Sequence, residues 1–215
     1  DGKTSTVAFY SQGSTGIIAT NGKPDASIEL LRGAPPAADE ITMTMAAALP
    51  LALHPKPERV AIIGWGSGLT THALLGSPVP RVVDSIEIER AMYEGAMQFG
   101  SRVVRAYRDP RSAVHFDDAR TYFSAGRRQY DVIISEPSNP WVSGVASLFT
   151  SEFYGFIRSH LSDGGIAIQW LHTYEINDPL LYTMVASLVE QFPHVNAYTT
   201  NGGDLLFAVS ASPIP

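Results

Sequence analysis

The rhythm of apolar and polar positions changes once along this chain. Up to residue 37, apolar residues come in short runs broken by Gly, Ser and Thr. Thr4–Tyr10, Gly16–Thr20 and Ser27–Leu31 read as strands, and Asn21-Gly22 is a tight hairpin-turn signal between the last two. Gly33-Ala-Pro-Pro36 punctuates the end of this small β unit, residues 1–37. From Asp39 the pattern becomes helical. Asp39 is placed to cap a helix that runs to about Leu53 and is closed by His54-Pro-Lys-Pro57.

Short apolar runs then alternate with longer amphipathic ones. Strands are expected at Val60–Ile63, Val82–Ile86, Ala113–Phe116, Val132–Ser135 and Gly165–Trp170. Helices are expected at Leu69–Leu75, Arg90–Phe99, Ala119–Ala125, Ser151–His160 and Leu180–Gln191. Val195–Thr199 and Leu205–Val209, separated by Asn201-Gly-Gly203, close the chain as a hairpin. Alternating strands and helices predict an α/β fold with a mostly parallel sheet covered on both faces. Residues 38–215 are therefore expected to be one Rossmann-like domain. Its antiparallel C-terminal hairpin resembles the seven-stranded sheet of class I S-adenosylmethionine-dependent methyltransferases.

Composition narrows the function. The 215 residues are 45% hydrophobic and 17% charged, as in an ordinary folded core. A net charge of −6 argues against binding nucleic acid through its phosphates. With no cysteine there is no disulfide, thiolate metal site or cysteine nucleophile. The six histidines are scattered without metal-ligand spacing, so no metal is expected. The longest apolar candidate, Met43–Leu53, falls short of the ~18–20 residues of a membrane helix. No secretory signal is visible, and a start at Asp1 without methionine fits a trimmed chain and a domain of a longer protein equally.

The densest chemical signal is Gly64-Trp-Gly-Ser-Gly68 at the end of an apolar run. Glu87 ends the next run, and Asp117-Asp118 the one after. Glycines let a backbone approach a ligand closely, and an acid at the following strand end can accept both ribose hydroxyls. All these positions lie at carboxyl ends of parallel strands, where open α/β sheets bind ligands. A dinucleotide fingerprint would need glycine at position 69, which is Leu. The Gly-x-Gly-x-Gly form suits a nucleoside with a short sulfonium tail better than a pyrophosphate.

The fourth strand of this domain runs into Glu136-Pro-Ser-Asn-Pro-Trp-Val-Ser-Gly144, a proline-bearing loop beside the glycine turn. In order, the chain also shows Leu49-Pro-Leu51, Ile62-Ile-Gly-Trp-Gly-Ser-Gly68, Glu87-Ile-Glu89, Tyr130-Asp-Val-Ile-Ile134, Ser147-Leu-Phe149, Glu152-Phe-Tyr154 and Phe192-Pro193. Together these resemble the spermidine synthase (polyamine aminopropyltransferase) family, in particular its spermidine synthase-like bacterial members. The resemblance covers nearly the whole chain.

It implies decarboxylated S-adenosylmethionine or S-adenosylmethionine as co-substrate, no metal, and a small amine or polyamine as acceptor. It implies that Glu87 holds the ribose, Asp118 the adenine amino group and Gly64, Trp65, Gly66, Ser67 and Gly68 the tail. Ile88, Asp117 and Ala119 would complete the nucleoside site. Glu136 would stand where the family places the aspartate that deprotonates the attacking amine. Ser138, Asn139 and Trp141 would form a substrate loop, with Trp141 either a gate or a packing residue. Trp65, in place of a usually small residue, would stack near the ligand or narrow the site. Gln169, Trp170, His172 and Tyr174 would line the second-substrate pocket.

The chain departs from the family in places. The loop is normally Asp-Ser-Ser-Asp-Pro, and here the first acid is lengthened and the second is the neutral Asn139. Thr42-Met43-Thr44 replaces a Tyr-Gln-Glu segment of the amine pocket. The nucleoside half of the site is therefore better matched than the amine half. Two rival functions stay open: methyl transfer from S-adenosylmethionine, and nucleoside binding without turnover. Relatives imply a cytoplasmic domain, a homodimer as one assembly, and in some bacteria a fusion behind membrane helices.

Overall fold

The computed structural model describes residues 5–126, 128–138, 145–173, 176–201 and 203–215. It holds two sheets. The first is a three-stranded antiparallel meander of β1 (Val7–Gln12), β2 (Thr15–Thr20) and β3 (Lys23–Glu29). Asn21 and Gly22 turn β2 into β3 with φ of 51° and 83°, the left-handed pair of a type I′ hairpin. The turn is tight, so β3 starts at Lys23, earlier than the apolar pattern alone marks it.

α1 spans Ala38–Leu53 and joins the two sheets. Asp39 is not its cap, because the helix begins one residue before it. Asp39 instead accepts the Ser27 hydroxyl of β3 at 2.6 Å. Glu40 closes the first turn by accepting the Ala37 N–H at 3.0 Å. The same oxygen takes the Glu29 N–H of β3 at 2.7 Å, and the other pairs with Arg102. A buried carboxylate with this many donors fixes the small sheet to the helix.

The large sheet comprises β4 (Arg59–Ile63), β5 (Val82–Glu87), β6 (Ser112–Phe116), β7 (Tyr130–Ser135), β8 (Leu161–His172), β9 (His194–Thr199) and β10 (Asp204–Ser210). Its order is β6-β5-β4-β7-β8-β10-β9. The first five strands in that order are parallel; β10 is antiparallel to both β8 and β9. The chain thus closes as the sequence pattern predicts, with β10 inserted between β8 and the edge strand.

Side-chain alternation divides the core into two. Val60, Ile62, Val132 and Ile134 point into a cluster with Met43, Ala46 and Ala47 of α1. Ala61, Ile63 and Ile133 point into the opposite cluster. That face is covered by α5 (Ala119–Ser124), α6 (Ser151–Ser159) and α7 (Asp178–Gln191). On the first face, α2 (Leu69–Leu74) packs on α1. The segment after α3 (Arg90–Ala96) is not one helix to Phe99. Gly100, at φ 59°, breaks a 3-10 stretch over Met97–Val103, and α4 (Val104–Arg108) follows. No helix among the described residues is long and apolar enough to cross a membrane.

Candidate functional site

The chain order of the sheet reverses between β4 and β7, since β5 and β6 lie on one side of β4 and β7 and β8 on the other. A crevice opens beyond the carboxyl ends of strands at such a switch point. The glycine turn leaves β4 on one side of it, and the Glu136 loop leaves β7 on the other. The Glu136 N–H donates to the Ile63 carbonyl at 2.9 Å, and the Gly64 N–H to the Ile86 carbonyl at 2.9 Å. Gly64 has φ 95°, and a Cβ there would lie 2.6 Å from the Glu136 carbonyl oxygen. Glycine is required at 64 so that the two loops can meet.

Glu87 ends β5 and is buried. Its Oε2 accepts the Trp65 backbone N–H at 2.8 Å and its Oε1 the Glu89 N–H at 2.8 Å. Burial still prevails over these donors, with the Asp25 and Glu89 charges adding to it, and lifts the carboxyl to about 7. Ile88, beside it, is 53% exposed. Asp117 follows β6, its N–H bonded to the Glu87 carbonyl at 3.2 Å. Asp117 Oδ1 accepts the Asp118 N–H at 2.8 Å. Asp118 caps α5 by accepting the Thr121 N–H at 3.0 Å, and buried Ala119 starts the helix.

Two side chains of the glycine turn are buried against the protein's own helical side. The Trp65 indole is 3% exposed, packed on Tyr93 and Tyr107 at ring distances of 5.1 and 5.2 Å. Its Nε1–H donates to the Tyr107 hydroxyl at 3.2 Å. The indole therefore does not stack in the crevice; only the Trp65 backbone enters the glycine–glutamate contact. It also explains Gly68, where a Cβ would come within 2.9 Å of the indole. The Ser67 hydroxyl points to α1, donating to the Met43 sulfur at 3.0 Å.

Glu136 is half-buried, yet its Oε1 is sealed from solvent and lacks a hydrogen-bond partner. Desolvation lifts its carboxyl to about 7, with the nearby Thr70 hydroxyl acting in the opposite direction. Ser138, two residues on, donates to Asp25 Oδ1 at 3.1 Å. Asp25, on β3, brings the small sheet to the crevice; its Oδ2 is likewise buried and unpartnered. Nothing local in the sequence marks Asp25, because its partner is 113 residues away.

Across the crevice, His172 Nδ1 lies 2.8 Å from Asp204 Oδ1. Asp204 Oδ2 accepts the Thr42 hydroxyl and the Asn201 amide, each at 2.9 Å. His172 leads the donors that hold the Asp204 carboxyl below the usual carboxylate range against its burial. Thr42 is thus committed to the fold, and Thr44 is exposed. Trp170 packs on the His172 ring at 4.9 Å. Gln169 turns into the core, its amide bonded to the Trp170 carbonyl at 2.7 Å, and lines a small cavity with Ile133, Tyr154 and Leu188. Asn139, Trp141 and Tyr174 lie outside the described residues.

The Spermine/spermidine synthase domain model matches residues 40–202, three-quarters of the chain. The chain belongs to that family. A polyamine aminopropyltransferase of Bacillus subtilis (strain 168) is 29% identical over 157 residues, covering 73% of this chain and 56% of that protein. The chain thus spans little more than half the length of this relative. A spermidine synthase crystallised with the transition-state analogue AdoDATO superposes with a TM-score of 0.84 at 20% identity, over 97% of this chain and 71% of that one. Human methyltransferase-like protein 13, in complex with SAH, superposes at 0.62 and 22% identity, over 82% of this chain and 83% of that one. These two likenesses establish the shared α/β fold of the spermidine synthases and class I methyltransferases.

Proposed function

We propose that this chain is an aminopropyltransferase domain of polyamine biosynthesis. It takes decarboxylated S-adenosylmethionine as donor and a small amine as acceptor. The observation that carries the reading is Glu136: a carboxylate with a sealed, unpartnered oxygen across the switch point from the glycine turn. The likeness to the polyamine aminopropyltransferase of Bacillus subtilis supports the transferred group.

In this reading Glu87 accepts the ribose hydroxyls, Ile88 offers an apolar face to the adenine, and Asp118 reads its amino group. Gly66, with open space where a Cβ would stand, leaves room for the sulfonium tail. The acceptor nitrogen attacks the carbon next to sulfur in line. The N–C bond forms as the C–S bond breaks, and its electron pair returns to sulfur, leaving methylthioadenosine. The acceptor's proton passes to Glu136. A base whose affinity for protons balances near pH 7 is suited to that transfer. The negative charge also attracts the sulfonium, and pre-alignment of the partners supplies much of the rate.

Calorimetry with methylthioadenosine, S-adenosylmethionine and S-adenosylhomocysteine reads the nucleoside preference. Mass spectrometry with decarboxylated S-adenosylmethionine and an amine panel reads turnover. Methylthioadenosine binding together with an aminopropylated amine supports the proposal. A methylated product, or binding with no product from any amine, would replace it with one of the two rival functions.

A further inference from the structure

Besides Glu136, the crevice carboxylates Glu87, Asp118 and Asp204 each already hold a donor from within the protein. Glu87 has a backbone N–H on each oxygen. Asp118 caps α5. Asp204 is held by His172, Thr42 and Asn201. Asp25 is different. Ser138 donates to its Oδ1 at 3.1 Å, but its Oδ2 is buried with no partner. Among the described residues, Asp25 and Glu136 are the only carboxylates with a buried, unpartnered oxygen. Ser138 ties them together, because it stands two residues from Glu136 on the same loop.

A fold that buries an acceptor without a donor loses stability for it, so such a group points to a donor supplied from outside. Two such oxygens, both carboxylate, call for a cation that also donates hydrogen bonds. A primary ammonium has three N–H donors and one positive charge. The electrostatics agree. Asp25's charge reaches Glu87, and burial raises its own affinity for a proton against the hydroxyls of Thr20 and Ser138 and the charges of His172 and Lys23. Nor is Asp25 placed loosely. β3 is bound to α1 through Ser27–Asp39 at 2.6 Å and Glu29–Glu40 at 2.7 Å, which sets the carboxylate on a rigid support.

We propose that Asp25 is the ammonium-recognition residue of this site, its Oδ2 accepting a hydrogen bond from a primary ammonium group of a substrate. The small N-terminal sheet then completes the substrate site. The inference rests on the aminopropyl-transfer reading. That reaction brings two such ammonium groups, one on the donor's aminopropyl tail and one on the acceptor.

The test is Asp25→Asn, which keeps the shape and an oxygen for Ser138 but removes the charge. Calorimetry compares it with the unaltered protein for three probes: methylthioadenosine, which has no ammonium; decarboxylated S-adenosylmethionine; and putrescine added to the methylthioadenosine complex. Methylthioadenosine affinity is expected to stay within about threefold. At least a tenfold loss for decarboxylated S-adenosylmethionine assigns Asp25 to the donor tail; the same loss for putrescine assigns it to the acceptor. Ser138→Ala, which only loosens Asp25, is expected to weaken the same probe by a smaller factor. The proposal is overturned if Asp25→Asn binds both ammonium probes normally, or if all three probes weaken equally. Should the unaltered protein bind no methylthioadenosine, the nucleoside reading itself fails, and the Asp25 assignment with it.

Discussion

Replacing Glu136 by Gln should make the protein more stable and less active, and the gain should depend on pH in a defined direction. Burial raises the Glu136 carboxyl from the ordinary 4.5 to about 7. Below pH 4.5 the folded and unfolded chains both hold its proton, and the side chain resembles Gln. Between 4.5 and 7 the unfolded chain releases the proton first, so stability falls as pH rises. Above 7 both forms are ionised and the folded protein carries the full cost of a poorly solvated charge. At about 1.4 kcal/mol per tenfold change in proton affinity, that interval is worth about 3 kcal/mol. Water reaching the half-buried residue lowers this to about 2–3 kcal/mol. Urea unfolding of both proteins should give equal stability near pH 4, with Glu136→Gln ahead by that amount at pH 8. The other titrating groups cancel in the difference. In melting temperature the gain is roughly 4–12 °C for a chain of this size. The proposed aminopropyl transfer should meanwhile fall by about 10²–10⁴. A variant less stable at pH 8, or a difference that stays constant from pH 4 to 8, would refute the reasoning, since a structural carboxylate loses stability on neutralisation.

Gly64→Ala should cost about 1–3 kcal/mol more than Gly66→Ala in chemical denaturation, because only the first drives a Cβ against the Glu136 carbonyl, at 2.6 Å. Equal costs would mean that the close approach of the two loops is wrong. Glu87→Gln should weaken methylthioadenosine by about 10–150-fold, the worth of hydrogen bonds to a charged group. It should also erase the preference over the 2′-deoxy analogue, which calorimetry reads directly. Asp118→Ala should lose about 1 kcal/mol of stability with the α5 cap. The same variant should reduce the preference for methylthioadenosine over methylthioinosine at least fivefold; an unchanged preference would remove Asp118 from adenine recognition.

The sequence alone determined what depends on neighbours along the chain. A turn such as Asn21-Gly22, a buried strand such as Val60–Ile63 and a glycine-rich exit such as Gly64–Gly68 are local in cause, so their residue types carry them. Parallel strands align their carboxyl ends, so Gly64, Glu87 and Asp118 could be placed at one edge before any contact was known. Tertiary structure decided where side chains point and which distant groups meet. It turned the Trp65 indole into an aromatic cluster, because Tyr93 and Tyr107 offered it apolar faces and a hydroxyl. It took Asp39 out of its capping role, because Ser27 of β3 offered a donor. It made Asp84, in the middle of an expected apolar strand, the acceptor of a buried network with His115 at 2.9 Å and the Tyr130 hydroxyl at 2.9 Å. It spent Thr42 on Asp204, across 162 residues. It also brought Asp25 from the small sheet to the loop of Glu136. Such pairings are chosen by packing and by the need of buried polar groups for partners, and no periodicity along the chain records them.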